Sequence, residues 1–340
     1  MRARTAPLIA MGPRLLLHGF TDADPVAMAA RAREVEAAGW DGLLLADSQN
    51  LTPEVFVALT VAAGATTTLE LGPAVTNLVT RHPAVLASAA ATLQRVGDGR
   101  TVLGVGRGDS ALLQVGLAPQ PPAEFARDLA RLRTYLHGGT VDERGYPARL
   151  GWLPRPDDGA VPIQVFASGP RITRVAAELG DRVTVVVGAR PELVAARVAT
   201  AREAGARSVG AYLVVAVEDD ACRARNLVRG NVAIFAHFQR HAGDLGTADR
   251  AVVGEVTRRW EEATHGVAAS AQADALTDSY IDHFAVVGSA AEVTDRLRGL
   301  VALGLDHLVL IGASRDVPPE VAREQERRIL TAARAAADGA

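Results

Sequence analysis

Eight short apolar runs, most of them followed by a longer helical stretch, constrain the fold of this chain more than any other feature. The first, residues 14–18 (RLLLH), closes on Gly19. Asp24-Pro25 then supplies an N-cap and a first-turn proline, and Gly39 a stop, the chemistry that begins and ends a helix. Residues 42–46 (GLLLA) form the second run, and Thr52-Pro53 opens the next helix in the same way. The third run is 69–76 (LELGPAVT), followed by a helix from Pro83 to Gly97–Gly99. The fourth is 101–106 (TVLGVG), with a helix near 121–137. The others lie at 162–167 (PIQVFA), 182–187 (RVTVVV), 208–217 (SVGAYLVVAV) and 306–311 (DHLVLI). Helical patterning covers 170–180, 190–205, 289–303 and 318–337.

Most of these runs are continuously apolar, the pattern of strands covered on both faces. Eight βα units predict a single (β/α)8 TIM-barrel domain over residues 1–340. A doubly wound open sheet is the alternative. Two stretches break the rhythm and read as insertions: the Gly- and Pro-rich 138–161 after strand four, and the polar, Ala-rich 219–283 after strand seven.

Composition removes several chemistries. All 36 basic residues are arginine. Without lysine there is no Schiff-base chemistry and no G-x-x-x-x-G-K-[ST] phosphate loop. A net charge of -3 and 4% aromatic residues argue against nucleic acid as a partner. Cys222 is the only cysteine. It excludes an intramolecular disulfide and a multi-cysteine metal site, fits a reducing compartment, and reads as a buried or inert thiol. No run approaches the ~20 apolar residues of a membrane span, so the expectation is a soluble, cytoplasmic protein with no membrane partner.

In a barrel, the loops after the strands carry the chemistry. Here they hold His18, Asp47-Ser48, Thr76-Asn77, Thr80-Arg81-His82, Gly106-Arg107-Gly108-Asp109-Ser110, Ala167-Ser168-Gly169-Pro170-Arg171, Gly188 and Ser314. Ser168-Gly169-Pro170-Arg171 reads either as a plain N-cap or as an anion site at a helix N-terminus. Asp109 reads either as a helix cap or as a proton-transfer group, and Asp47 as a ligand or an Asx turn. Gly104, Gly106 and Gly108 miss the dinucleotide spacing, because Asp109 stands where it requires otherwise. His237 and His241 lack the glutamate of a zinc motif, and no metal is expected.

The order and spacing of these motifs resemble the luciferase-like monooxygenase superfamily of flavin and deazaflavin barrels. The chain looks closest to the branch similar to F420-dependent methylenetetrahydromethanopterin reductase. The likeness rests on Ala38-Gly39-Trp40-Asp41-Gly42 with Asp47; Gly72 to Asn77 with Thr80-Arg81-His82-Pro83; Gly104 to Ser110; Ala167 to Arg171; and Phe284 to Gly288. It implies coenzyme F420 as cofactor, with FMN as the alternative, and an oxidoreductase acting on a small molecule. That activity is F420-dependent reduction of a C=N or C=C bond, an FMN-dependent monooxygenase being the second reading and a non-catalytic flavin-binding barrel the third.

The resemblance also assigns residues. A strand-three bulge, often with a non-prolyl cis peptide, would fall at Ala74-Val75 behind the ring, with Thr76 and Asn77 at its edge. Arg107, Gly108, Asp109 and Ser110 would face the reacting carbon, with Asp109 transferring the proton, and Gly106 joins the cofactor-binding residues. Asp47, Ala167, Ser168, Gly169, Arg171, Val187 and Gly188 complete the cofactor set. Many relatives carry a histidine directly after the strand-two acid. Here Ser48 stands there, which counts against a sugar-phosphate dehydrogenase role. Ser48 joins Asp109 and Arg107 as a candidate catalytic residue, and His18 or His82 could supply the imidazole. Arg81, Arg107 and Arg171 are the rim cations expected to meet anionic groups. A homodimer burying helices from the first half of the barrel is implied as well.

Overall fold

The computed structural model describes residues 12–153, 160–241 and 245–339. The chain begins with β1 (Arg14–Gly19), α1 (Pro25–Ala38), β2 (Gly42–Leu45) and α2 (Val55–Ala65). It continues through β3 (Glu70–Pro73), β4 (Thr76–Asn77), α3 (Pro83–Val96), β5 (Leu103–Gly106), α4 (Ser110–Leu113) and α5 (Pro122–Leu136). A hairpin of β6 (Val141–Glu143) and β7 (Tyr146–Ala148) follows, then β8 (Ile163–Ala167), α6 (Pro170–Leu179), β9 (Arg182–Val185), α7 (Pro191–Glu203) and β10 (Val209–Val217). The second half of the chain closes with α8 (Ala221–Phe238), α9 (Thr247–Arg258), α10 (Ala271–Asp274), α11 (Asp278–Phe284), β11 (Val286–Gly288), α12 (Ala290–Val301), β12 (His307–Ile311) and α13 (Pro319–Ala337).

The parallel strands run in the order β3-β2-β1-β12-β10-β9-β8-β5-β4. Because β3 and β4 are the two halves of one broken strand, this order closes on itself, helped by a bridge between Leu71 and Thr101. The eight expected strands thus form the barrel, and the open-sheet alternative is gone. Alternation of side chains along each strand divides the core. Leu15, Leu17, Leu43 and Leu45 point outward to the helices, while Leu16, Leu44, Tyr212 and Val309 fill the interior. Strand three and its neighbour approach so closely that a side chain at Gly72 would meet Val102 O at 1.8 Å, and one at Gly104 would meet Pro73 O at 2.0 Å.

Polar groups tie the barrel floor. Glu70 accepts from Arg14 at 2.6 Å and from Arg182 at 2.7 and 2.9 Å, joining β1, β3 and β9. Above it Gln164 donates to Thr184, whose hydroxyl is 2.8 Å from His307 Nε2.

Of four further details, two match the expectation and two depart from it. Strand three is interrupted at a cis peptide between Ala74 and Val75, the position the resemblance named. Helix α2 starts at Val55 with Glu54 as its cap, not at Thr52-Pro53, because the Thr52 hydroxyl bonds Ser48 O within the preceding loop. The 219–283 insertion is the helical set α8 to α11, and a short β11 after it extends β10 in parallel. Cys222 is exposed, at the start of α8.

Candidate active site

The C-terminal ends of the strands open into a cavity of about 950 Å³, within the range of a small-molecule or cofactor site. One wall comes from the rim loops expected from sequence. The other comes from the 219–283 insertion, through Asn231, Ile234, Phe235, Phe238, Arg240 and His265, and from Arg315 after β12. No described residue of the 138–161 insertion borders it.

At one side stands the start of α6. Gly169 occupies its cap position and makes no side-chain cap bond, so the first amides of the helix have no side-chain acceptor among the described residues. A Cβ added at Gly169 would meet no described residue within 4 Å, leaving space among them before those amides. Arg171 borders this space and is exposed. Arg197 is 9% exposed and anchors its Nε on Ser168 O at 2.9 Å. Amides, helix dipole and guanidiniums together favour an anion.

Deeper in, the bulge at Ala74 and Val75 lines the cavity beside Gly106. A side chain at Gly106 would lie 2.9 Å from Val75 Cγ2, so glycine there keeps this wall flat. The inner end is aromatic. Tyr212 packs against Phe166 and Phe235, with ring centroids 6.1 and 5.0 Å apart. Its hydroxyl is 2.5 Å from His18 Nδ1. The His18 ring borders the cavity, yet its Nε2 is buried, and burial pushes its pKa down to about 4. Burial raises Tyr212.

Of the expected site residues, Asp47, Ser48, Ala74, Val75, Gly106, Arg107, Gly108, Asp109, Ser110, Ser168, Gly169, Arg171 and Val187 border the cavity. Thr76, Asn77, Ala167 and Gly188 do not. Asn77 shapes its own loop instead: its Oδ1 accepts from Val79 N, Thr80 N and the Thr80 hydroxyl. Arg81 also departs from its expected role. It binds Asp47 and Glu54 and lies over Phe56, so two carboxylates already neutralise it. His82 caps α3 through Nδ1 and is outside the cavity. The imidazole on this rim is His18. The cap reading of Asp109 also weakens, because Asp109 makes no side-chain cap bond to α4.

Reading the sequence missed Tyr212, Phe166, Phe235, Arg197 and Arg315. Two signals were available. Tyr212 is the only aromatic residue in the run 208–217. Arg197 falls on the buried stripe of α7 with Val194, Val198 and Ala201, a position an unneeded arginine seldom occupies.

The architecture and rim define an enzyme, a barrel oxidoreductase. The chain belongs to the luciferase-like monooxygenase family, whose model matches residues 12–307. It is 30% identical over 294 residues to the 5,10-methylenetetrahydromethanopterin reductase of Archaeoglobus fulgidus, covering 81% of this chain and 86% of that protein. It is 26% identical over 340 residues to the F420-dependent glucose-6-phosphate dehydrogenase of Amycolatopsis mediterranei, covering 91% and 94%. Among solved structures, the coenzyme F420-dependent tetrahydromethanopterin reductase of Methanopyrus kandleri superposes with a TM-score of 0.73 at 21% identity, covering 94% of this chain and 97% of that one. This last likeness is one of fold.

Proposed function

We propose that this chain is a reductase that uses reduced coenzyme F420 to reduce a C=N or C=C bond of a small organic substrate. One observation carries the reading: a single cavity joins the uncapped, arginine-flanked start of α6 to a flat, apolar, aromatic-lined chamber. An extended cofactor with an anionic tail and a planar ring fits both ends. Arg171, Arg197, Ser168 and Gly169 would hold the phosphate portion. Ala74, Val75 and Gly106 would back the ring. Arg107, Arg240 and Arg315 also border the cavity without a carboxylate partner among the described residues, which favours a tail with more charge than the single phosphate of FMN.

Bound in its reduced state, this cofactor supplies a hydride. The chain's own part is positioning, water exclusion and the proton. Asp109 borders the cavity and is the acid assigned to that proton. The insertion helices close the chamber over the aromatic wall, and water exclusion strengthens each polar contact inside. A sugar phosphate is disfavoured as substrate by Ser48, where a histidine would be needed.

Titration of the protein with F420 and with FMN, each followed by ligand fluorescence, tests the reading. The expected result is tight binding of F420 and weak binding of FMN. Tight binding of FMN alone overturns it in favour of a monooxygenase. The proposal extends to a homodimer in the cytoplasm. No helix among the described residues is long and apolar enough to cross a membrane. Val57 and Val85 stand 64% and 59% exposed along a groove between α2 and α3, an apolar surface suited to a second copy. Sedimentation analysis of Val57→Asp with Val85→Asp checks it, and an unchanged mass removes that interface.

A further inference from the structure

The polar pair at the inner end of the cavity has a donor left over. His18 Nδ1 and the Tyr212 hydroxyl share one hydrogen bond of 2.5 Å. His18 Nε2 is buried with no partner among the described residues. Two proton arrangements are compatible with the bond. In the first, Tyr212 donates to Nδ1 and the ring proton sits on Nε2, burying an N–H that has no acceptor. In the second, Nδ1–H donates to the phenol oxygen and Nε2 is a bare lone pair. Each arrangement leaves one donor without a partner among the described residues, Nε2–H in the first and the Tyr212 O–H in the second. Nε2 is buried whereas Tyr212 borders the cavity, and a buried donor left unmade bears its full desolvation cost. The second arrangement is therefore the ground state. A doubly protonated ring does not compete near neutral pH, because burial pushes the pKa of His18 down to about 4.

In that arrangement the Tyr212 O–H is not consumed by His18. Phe166 and Phe235 flank the phenol and offer no acceptor in the plane where the proton lies. No other protein atom bonds the hydroxyl among the described residues. Tyr212 borders the cavity, so the direction left for its proton is into that space.

We propose that Tyr212 O–H is a ligand-recognition donor. It receives the neutral acceptor atom of an unsaturated group, a C=N nitrogen or a carbonyl oxygen conjugated to C=C, carried on an apolar or aromatic body that packs on Phe166 and Phe235. His18 is the positioning residue that keeps the phenol turned to donate. A charged acceptor is disfavoured, because the surrounding rings give it nothing in exchange for its lost hydration. This deepens the reductase reading and rests on it only in taking the bound atom as one end of the reacting bond, or conjugated to it.

Quinoline and naphthalene have the same shape and differ by one acceptor nitrogen, so they isolate the contact. Their affinities are measured by ligand-observed NMR on the full chain with no deazaflavin or flavin added. The expected result is quinoline binding about fivefold tighter than naphthalene, the worth of one neutral hydrogen bond. In Tyr212→Phe the two affinities should fall within about twofold of one another, the remainder expected of ring contacts alone. Equal affinities in the unmodified protein, including no measurable binding of either, overturn the proposal. So does a preference that survives in Tyr212→Phe. A second measurement needs no variant: ¹⁵N NMR should find His18 protonated on Nδ1 and bare on Nε2, and the reverse tautomer overturns the proposal too. Because no cofactor is present, failure of F420 to bind would sink the reductase reading and leave these outcomes intact.

Discussion

Arg197 reaches from α7 and donates from Nε to the carbonyl oxygen of Ser168, 2.9 Å away. A nearly buried guanidinium is thereby pinned to the loop that opens α6, while Arg171, on the first turn of the same helix, is exposed. The two cations should then respond differently to salt. Arg171→Gln is expected to weaken F420 binding about tenfold in low salt, the worth of a charge-assisted hydrogen bond, and less in high salt, where an exposed charge is screened. Arg197→Gln should cost more and depend on salt less. Fluorescence titrations in low and high salt check both. Unchanged affinity in Arg171→Gln would return that residue to the solvated majority of arginines.

Gly169 offers a cleaner test of the same region. A methyl group there meets no atom of the described residues within 4 Å, and the backbone is extended at φ -95 and ψ 155. Gly169→Ala should therefore cost less than about 1 kcal/mol of stability, even allowing for a poorer cap. If the space before α6 is the anion cradle, the methyl fills it and F420 affinity falls by about tenfold, a loss of roughly 1.4 kcal/mol. Thermal melting and titration on the same sample separate these effects. Full affinity in Gly169→Ala would move the anion elsewhere.

On the opposite end of the barrel, Glu70 holds Arg14 and Arg182 with a side chain only 10% exposed. Glu70→Ala removes the shared acceptor and strands two guanidiniums. Because Arg14 is 38% exposed, the expected loss is about 2–3 kcal/mol, below the range for a fully buried pair. Urea unfolding measures it. F420 affinity should hold, since Glu70 lies at the floor and the cavity at the rim. A loss under about 0.5 kcal/mol, the scale of exposed pairs, would make the floor network decorative.

The barrel was legible because its signals are local and periodic. Runs such as GLLLA at 42–46 have to be strands buried on both faces, and Asp24-Pro25 with Gly39 marks a helix by capping chemistry alone. The rim was legible for the same reason, because a loop after a barrel strand has one place to go. Most of the failures at the site are long-range. Arg81 looked like a rim cation until Asp47 and Glu54, 34 and 27 residues away in sequence, came beside it. Asn77 looked like a ligand contact until its loop folded back on it. The His18–Tyr212 pair spans 194 residues, and nothing in either local sequence announces the other. The 219–283 segment showed helical patterning, but which of its faces meets the cavity is decided by packing against the barrel.

Three histidines should make the fold acid-sensitive well above the carboxylate range. Burial holds His18 and His265 down to about 4 and His307 to about 3, with Arg315 and His237 adding to the effect at His265, and Arg182, Arg14 and Arg202 at His307. In the unfolded chain each would protonate near the ordinary imidazole value of 6.5. Above that value the imidazoles are neutral in both states and contribute no pH dependence. Below it the unfolded state takes up protons that the folded state refuses, so stability falls as pH drops from about 6.5 towards 4. Each histidine adds at most about 1.4 kcal/mol per pH unit. Glu36 acts only lower down: burial opposes its ionisation, but the amides of Thr68, Thr67 and Leu69 and the Thr68 hydroxyl hold it near 2, so its share is lost below the ordinary carboxylate range. Urea unfolding at a series of pH values should thus find a decline that begins near pH 6.5 and corresponds to uptake of up to about three protons. His307→Gln should reduce that slope by about one proton, whatever it does to stability at neutral pH. A stability that stays level down to about pH 5 would mean these imidazoles accept protons in the folded protein.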